Sequence, residues 1–154
     1  MNNQSKVKVL AVASGGGHLV QLLRLSSSLD KSDVYYMTTM DGFLNRYDKN
    51  RVFLVKDASK TNILGLVVLL LQIILAMIKV RPDAVITTGA APGYFAIRVG
   101  KIFGAKTLWI DSIANSEELS LSGKMALKSA DLCLTQWPDL TKKYDGLEYK
   151  GGVL

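Results

Sequence analysis

Short apolar runs alternate with segments of helical periodicity along most of the chain. Residues 7–13 are nearly all apolar and rich in β-branched side chains, which is typical of a strand buried on both faces. Residues 18–29 then place leucines three and four positions apart with polar residues between them, as an amphipathic helix does. The same patterns predict further strands at 34–39, 51–55, 84–88, 106–111 and 132–135, and further helices at 94–103 and 123–130.

This alternation predicts an α/β fold in which residues 1–154 form one domain. Strands joined by right-handed helical crossovers give a single Rossmann-like, doubly wound parallel sheet with helices on both faces. In such sheets, ligands bind beyond the carboxyl ends of the strands. Three loops that leave strands at this edge, 14–18, 89–93 and 111–123, hold the unusual residues. We therefore expect the three loops to lie close together.

The apolar segment 63–78 is too long for a strand. As a helix of 16 residues it would be about 24 Å long, which is short of the roughly 30 Å of a bilayer core. A span would also place the strands before and after it on opposite sides of a membrane. We expect a crossover helix whose second side meets lipid or another chain, with enclosure by its own domain as the alternative. The predicted membrane contacts are Ile63, Leu66, Leu70 and Ile74, with the flanking cations Lys60, Lys79 and Arg81.

Two glycine-containing loops each follow a strand and precede a helix. They are Ser14-Gly15-Gly16-Gly17-His18 and Thr87-Thr88-Gly89-Ala90-Ala91-Pro92-Gly93. A helix start offers free backbone N–H groups and the positive end of the helix dipole, so two such loops suit a ligand with two phosphates. Ordinary strand-to-helix turns are the alternative for both. The candidate binding residues are Ser14, Gly15, Gly16, Gly17, Thr88, Gly89, Ala90 and Gly93.

His18 and Asp111 are the candidate catalytic residues. His18 is the only histidine, and it lies in the first turn of a predicted helix at the ligand-binding edge, where it could act as a general base or donate to a phosphate oxygen. A capping or packing histidine is the alternative. Asp111 ends a predicted strand and could orient a sugar hydroxyl or act as the base; Ser112, which follows it, is assigned to the same ligand.

Charge and composition narrow the class of partner. The chain has 19 Lys and Arg against 13 Asp and Glu, a net charge of +6 that favours anionic partners. The basic residues are scattered rather than clustered, which argues against nucleic acid. One cysteine and one histidine allow neither an internal disulfide nor a structural zinc site, and the sequence implies no metal or cofactor.

A dinucleotide-binding domain is an alternative that the first loop leaves open. Gly15 and Gly17 fit the pattern Gly-x-Gly-x-x-Gly, but Val20 occupies the position of the third glycine. Asp41, after the second predicted strand, could still take the place of the ribose-binding acid. The alternative is therefore weakened but not eliminated.

Four ordered motifs resemble one family over essentially the whole chain. They are the two glycine loops, Ile110-Asp111-Ser112, and Ser120-Leu121-Ser122-Gly123-Lys124. Together they resemble the acceptor-side subunit of split glycosyltransferases, the asparagine-linked glycosylation fourteen protein and its bacterial capsule and exopolysaccharide relatives. The chain is also similar to the N-terminal half of the peptidoglycan enzyme that adds N-acetylglucosamine to a lipid-linked sugar.

The resemblance implies half of a GT-B enzyme divided between two polypeptides. This chain would hold a sugar acceptor linked to polyprenyl diphosphate at the cytoplasmic face of the cell membrane, and a separate subunit would hold most of the nucleotide-sugar donor. Residues 15–17 would match the first glycine-rich loop, His18 its histidine, and residues 89–93 the loop for the acceptor diphosphate. Asp111 would match the acid of the family's Ile-Glu-Ser segment, one methylene shorter. We expect the chain alone to be inactive; a non-catalytic membrane recruiter of the donor subunit is the alternative.

Overall fold

The computed structural model describes residues 6–42, 47–58 and 61–152, and these form one parallel sheet with flanking helices. The strands are β1 (Lys8–Ala13), β2 (Asp33–Thr38), β3 (Val52–Leu54), β4 (Ala84–Thr87), β5 (Lys106–Ile110), β6 (Leu132–Thr135) and β7 (Leu147–Tyr149). The helices are α1 (Gly17–Arg24), α2 (Ile63–Val80), α3 (Ala90–Ile102) and α4 (Leu121–Ala126), with short 3-10 helices at Ser26–Leu29, Lys49–Arg51 and Pro138–Lys142. The predicted α/β class with a single parallel sheet is confirmed.

The strand order places a switch point between β1 and β4. The order is β3-β2-β1-β4-β5-β6-β7, so the chain winds outward from β1 in one direction and, after α2, from β4 in the other. The register pairs Val9 with Ala84 and Val12 with Thr87, which brings the ends of β1 and β4 together. In doubly wound sheets the crevice outside this point is where ligands bind.

Two separate cores explain why the first strand is apolar at nearly every position. Leu10 and Val12 lie in the larger core beneath α2, α3 and α4, whereas Ala11 and Ala13 lie in the smaller core beneath α1. Successive side chains of a strand point to opposite faces, and here helices cover both faces of β1. The lack of alternation in residues 7–13 therefore reports a central strand.

Several boundaries differ from those that the sequence predicts, and one strand has no predicted counterpart. The predicted helix 123–130 lies instead at Leu121–Ala126, as α4. The predicted helix 18–29 ends as an α-helix at Arg24 and continues only as a 3-10 turn. The third helix begins at Ala90 rather than at 94, because Pro92 lies in its first turn, where a missing N–H costs no hydrogen bond. The edge strand β7 was not predicted, since its three residues, of which only Leu147 is buried, are too few to show a pattern.

Helix α2 is a crossover helix that packs on the sheet with one side only. Leu69, Ile73 and Met77 are completely buried in the larger core. By length and composition α2 could cross a membrane, and 33% of it is buried inside the domain. A crossing is incompatible with the sheet, because β3 and β4, which precede and follow α2, both belong to it.

The outward face of α2 is not the one that the sequence predicts. Of the predicted membrane contacts, Ile63 is exposed, but Leu66, Leu70 and Ile74 are only half exposed, and Leu70 and Ile74 pack against the core. The small residues Gly65 and Ala76 are buried, and a Cβ atom on Gly65 would lie 2.8 Å from the side chain of Asn62, which caps the helix. The exposed apolar face of α2 consists of Ile63, Leu64, Val67, Val68, Leu71, Leu75 and Ile78.

Candidate functional site

The two glycine loops meet at the switch point through one side chain and one hydroxyl. His18 Nδ1, in the first turn of α1, lies 2.8 Å from the carbonyl oxygen of Thr88, directly after β4. In return, the Thr88 hydroxyl donates to the carbonyl oxygen of His18 at 2.6 Å. The predicted convergence of loops 14–18 and 89–93 is confirmed by this pair of hydrogen bonds.

The contact with Thr88 fixes the tautomer of His18. A carbonyl oxygen can only accept, so Nδ1 must carry the proton, and in the neutral ring Nε2 is then an acceptor. Nε2 has no hydrogen-bond partner within residues 6–42, 47–58 and 61–152, and the side chain is half exposed. His18 is thus held by one nitrogen, with the other free to take a proton from a ligand.

Gly89 is required beside this imidazole. A Cβ atom built on Gly89 would lie 2.6 Å from His18 Cε1 and 2.7 Å from Nδ1, closer than real Cβ contacts allow. The backbone of Gly89 also has a φ of 134°, a conformation that residues with a side chain rarely adopt. Ala90, next in the chain, has a φ of 64°, a conformation uncommon for a residue with a side chain. The loop before α3 is therefore shaped around His18.

Both helices at the switch point begin without a capping side chain. Gly16 precedes α1 and Gly89 precedes α3, and neither position supplies a side-chain oxygen to the first N–H groups. Gly16 and Gly17 are exposed, with no described atom within 4 Å of where a Cβ would lie. At the start of α3, by contrast, Gly89 is buried and its N–H donates to the Thr87 hydroxyl at 3.2 Å. An uncapped helix start is a favourable position for an anion.

The base of the first loop is held by Thr39, the residue that directly follows β2. The Gly15 N–H donates to the Thr39 hydroxyl at 3.0 Å, which fixes the loop's approach to the sheet edge. Ser14 is half exposed, and its hydroxyl has only a long 3.5 Å contact with the Gly15 carbonyl oxygen. Among the described residues, the Ser14 hydroxyl is therefore only weakly engaged.

Asp111 is buried and fully hydrogen-bonded, with 1% of its surface exposed. One carboxylate oxygen accepts from Trp109 Nε1 at 3.0 Å and from the Ser120 hydroxyl at 2.8 Å. The other accepts from Asn115 Nδ2 at 2.8 Å and from the Ser120 N–H at 3.2 Å. Gly123 makes room for this carboxylate, since a Cβ there would lie 2.5 Å from Oδ1. This geometry favours a positioning role for Asp111 over contact with a ligand.

The Asp111 carboxylate also affects the pKa of Cys133, a neighbouring residue on β6. Burial, and secondly the Asp111 carboxylate, raise the pKa of the Cys133 thiol to about 12. Cys133 is 3% exposed, so at neutral pH it is a buried, protonated thiol. Its protection from thiol reagents consequently reports whether the domain is folded.

Two glutamines hold the third loop, one from α1 and one from the end of β6, and sequence analysis missed both. Gln21, one turn after His18, donates to the Asp111 carbonyl oxygen at 3.2 Å and accepts from the Ile113 N–H at 3.3 Å. Gln136 donates to the same carbonyl oxygen at 3.2 Å. Gln136 directly follows β6 at the ligand edge, a position that could have drawn attention, whereas nothing in the sequence distinguishes Gln21. Loop 111–123 therefore joins the predicted cluster through α1.

Three of the predicted binding residues pack closely or form hydrogen bonds within the protein. Thr88 is fully buried and its hydroxyl is engaged by His18. Gly93 is buried, and a Cβ there would lie 2.1 Å from the Thr87 hydroxyl, so it allows α3 to pack on β4. Ser112 is half exposed and its hydroxyl accepts from the Ala114 N–H at 3.3 Å. Burial favours a packing role for Thr88 and Gly93 over direct contact with a ligand.

A second apolar surface lies beside α2 at the opposite edge of the sheet. Ile102 is 81% exposed at the end of α3, and the exposed Phe103 shares a cavity wall with Arg81, which caps α2. Arg98, Lys101 and Lys128 surround Ile102. Of the predicted flanking cations, Lys79 lies with its Nζ 5.5 Å from the Phe53 ring centre, and Lys60 lies outside the described residues.

Among the described residues, no three His, Cys, Asp or Glu side chains lie close enough together to hold a metal ion. For a dinucleotide, the third glycine position of the fingerprint is Val20, an exposed side chain on α1. Asp41 is exposed after β2. The described residues at the switch point thus provide one imidazole and two helix N-termini.

Sequence relatives agree with this architecture. The family profile described as "Oligosaccharide biosynthesis protein Alg14 like" matches residues 44–153. The UDP-N-acetylglucosamine transferase subunit alg14 of Schizosaccharomyces pombe is 38% identical over 79 residues, which cover 47% of this chain and 37% of that protein. The subunit ALG14 of Yarrowia lipolytica is 24% identical over 175 residues, which cover 96% of this chain and 81% of that protein.

Solved structures share the fold at low sequence identity. MurG from Acinetobacter baumannii superposes with a TM-score of 0.75 at 14% identity, over 95% of this chain and 46% of that chain. UDP-N-acetylglucosamine 2-epimerase from Rickettsia bellii superposes with a TM-score of 0.70 at 14% identity, over 96% of this chain and 45% of that chain. The chain spans about half the length of these proteins, and its fold matches the N-terminal half of GT-B enzymes such as MurG.

The fold alone does not choose an activity, since a transferase-like and an epimerase-like architecture both superpose on it. The profile match decides the family, because it extends over most of the domain, from the segment before β3 to the residues after β7. This chain belongs to the Alg14-like family of oligosaccharide biosynthesis proteins.

Proposed function

We propose that this chain is the acceptor-binding subunit of a two-chain inverting glycosyltransferase, and that its acceptor is a sugar linked to polyprenyl diphosphate. The observation that carries the proposal is the contact between His18 and Thr88. It brings the uncapped N-termini of α1 and α3 together at the switch point, next to His18 Nε2, which can accept a proton. The N-termini of α1 and α3 suit the two phosphates, and the net charge of +6 favours an anionic ligand.

The donor half is proposed to come from a separate subunit. The curated relatives are named as subunits of a UDP-N-acetylglucosamine transferase, which supports a UDP-linked sugar held mostly by a second, donor-binding chain. Cell-surface polysaccharide synthesis, of a capsule or an exopolysaccharide, is the proposed setting; it rests on the resemblance of the glycine loops to bacterial members. The family assignment favours this function over a dinucleotide-binding domain.

His18 is proposed as the general base. Its Nε2 accepts the proton of the acceptor hydroxyl, the hydroxyl oxygen forms a bond to the anomeric carbon of the donor, and the bond to the nucleotide diphosphate breaks with its electron pair. Attack opposite the leaving group inverts the configuration. Asp111 acts through its neighbours, because its carboxylate is buried and engaged by four donors. Ser14, Ser112 and the N–H groups of Gly16, Gly17 and Ala90 are the proposed acceptor contacts, because the N–H groups of Gly15 and Gly89 already donate to the Thr39 and Thr87 hydroxyls.

The chain alone is expected to have little or no transferase activity. The proposed crevice supplies the base and the acceptor site, but the leaving diphosphate needs stabilisation that we assign to the donor subunit. We expect turnover well below about 1 s⁻¹ for the chain alone and at enzyme-like rates for the reconstituted pair, measured with UDP-N-acetylglucosamine and a prenyl-diphosphate-linked sugar. Enzyme-like turnover without the partner would contradict the division of the site between two chains.

Attachment to the cytoplasmic face of the membrane is proposed to use the exposed apolar face of α2, together with Ile102 and Phe103. These apolar side chains are exposed on α2 and at the end of α3. The basic residues Arg81, Arg98, Lys101 and Lys128 lie next to Ile102 and Phe103. Apolar insertion and attraction of cations to anionic lipids act together in such interfacial binding.

Replacing Leu64 and Leu75 with serine should weaken vesicle binding by about tenfold or more. Both side chains are largely exposed, so the change removes buried apolar area from the lipid contact at little cost to folding. Flotation with vesicles containing phosphatidylglycerol measures the effect. The matched control is Val20→Ser with Leu54→Ser, two exposed apolar residues outside α2. Equal losses for both double variants would argue against α2 as the lipid contact.

A further inference from the structure

An apolar pocket lies between the first turns of three helices at the ligand-binding edge. Its volume is about 330 Å³. It is lined by Leu66 of α2, by Ala91, Tyr94 and Phe95 of α3, and by Leu121, Ser122 and Met125 of α4. No lining side chain is charged, and only Tyr94 and Ser122 carry hydroxyl groups. This size and lining are those of a site for an apolar small molecule or part of one.

The pocket opens between a polar site and an apolar surface. On one side, Ala91 is the second residue of α3, adjacent to the Gly89–Ala90 turn at which we place a phosphate. On the other side, Leu66 is flanked on α2 by Leu64 and Val67 of the exposed apolar face. A ligand that follows this path has a phosphate at one end and hydrocarbon beyond it.

We propose that the apolar pocket binds the first isoprenoid units of the polyprenyl diphosphate, between the diphosphate and the membrane. The inference rests on the proposed function and adds a subsite to it. A prenyl chain makes no hydrogen bonds, so uncharged walls cost it nothing, whereas a nucleotide or sugar would leave its polar groups without partners there. The Tyr94 and Phe95 rings, with centres 5.8 Å apart, provide flat walls for planar isoprene units.

Binding of soluble diphosphates by the chain tests the proposal. Isothermal titration calorimetry compares farnesyl diphosphate with inorganic pyrophosphate. Burial of even one leucine-sized apolar group strengthens binding by about tenfold or more, so farnesyl diphosphate should bind at least tenfold more tightly than inorganic pyrophosphate. Met125→Trp, which fills the pocket, and Leu121→Asp, which places a charge on its wall, should each remove most of this preference and leave pyrophosphate binding unchanged.

Leu75→Trp is the matched control, because Leu75 is exposed on α2 away from the pocket lining. Met125 and Leu121 are themselves partly exposed, and protection of Cys133 from a thiol reagent verifies that each variant is folded. If Met125→Trp exposes Cys133, Leu121→Asp alone decides. If both pocket variants keep the wild-type preference, or if Leu75→Trp loses it equally, the pocket is not the prenyl site.

The outcomes separate this inference from the proposed function. Wild-type protein that binds both diphosphates with equal affinity overturns the prenyl pocket but leaves the diphosphate loops in place. Wild-type protein that binds neither overturns both the pocket and the proposed acceptor site.

Discussion

Replacing His18 with alanine is expected to lower turnover of the reconstituted pair by about 10²- to 10⁴-fold, the range over which a general base contributes. The reason is geometric: Nδ1 is committed to the Thr88 carbonyl oxygen, so Nε2 is the nitrogen able to accept a proton from the acceptor hydroxyl. Turnover under saturating donor and acceptor measures the effect, and co-purification of the two chains verifies that the complex still forms.

A second substitution at the same position separates the chemical role from the structural one. His18→Asn keeps a side-chain N–H that can donate to the Thr88 carbonyl oxygen but has no basic nitrogen. It should therefore keep the stability of the wild-type chain and still lose turnover as His18→Ala does. If both variants turn over at the wild-type rate while the complex forms, the chain is a recruiter of the donor subunit and His18 is a packing residue.

Alanine substitutions at Gly89 and Gly17 test by steric means whether turnover depends on the position of the His18 imidazole. Gly89→Ala would place a Cβ atom 2.6 Å from His18 Cε1, so the imidazole must move and turnover should fall steeply. Gly17→Ala meets no described atom within 4 Å and has a helical backbone, so the fold should tolerate it. Thermal melting of both variants shows whether loss of turnover in Gly89→Ala reflects the site or the fold.

Replacing Asp111 with asparagine is expected to destabilise the domain by about 3 kcal/mol. Hydrogen bonds to a charged group are worth about 1.5–3 kcal/mol each, and the new NH₂ group would face donors that need an acceptor. For a domain of this size, the melting temperature should fall by about 6–12 °C. Asn115→Ala is the control: it removes one of the four donors and leaves the carboxylate in place, so its cost should be nearer 1 kcal/mol.

Stability and turnover together distinguish the two roles considered for Asp111. If Asp111 positions other residues, its replacement should lower both the melting temperature and the turnover, because the 111–115 loop is then released from α1 and α4. If Asp111→Asn melts at the wild-type temperature but has no turnover, the carboxylate contacts the acceptor and the positioning role is wrong.

The meeting of the three loops could be predicted, because it depends only on the order of the elements. Once strands and helices alternate, parallel pairing brings loops 14–18, 89–93 and 111–123 to one edge. The contacts that join them could not be predicted. Gln21 and Gln136 converge on the Asp111 carbonyl oxygen from α1 and from the end of β6, 115 positions apart in the chain. No local pattern carries that information.

The role of Asp111 could likewise be predicted only in part from the sequence. Its place at the end of a strand marked it as a candidate, and sequence position alone could not distinguish a carboxylate that meets the ligand from one that is enclosed. Enclosure depends on Trp109, Ser120 and Asn115 closing around it, and on Gly123 leaving room. Likewise, the apolar stretch 63–78 indicated a helix with too little polar surface, but not which of its sides would touch the sheet.

By itself the sequence determined the order of the helices and of strands β1 to β6, the α/β class, the glycine-rich helix starts and the excess of positive charge, because each follows from local composition and periodicity. Only the tertiary structure decided that Leu64 and Leu75 of α2 face outward while Gly65 and Ala76 face inward, and that His18 holds Thr88. These outcomes depend on how closely α2, α3 and the sheet approach one another. That distance is set by packing between segments far apart in the chain.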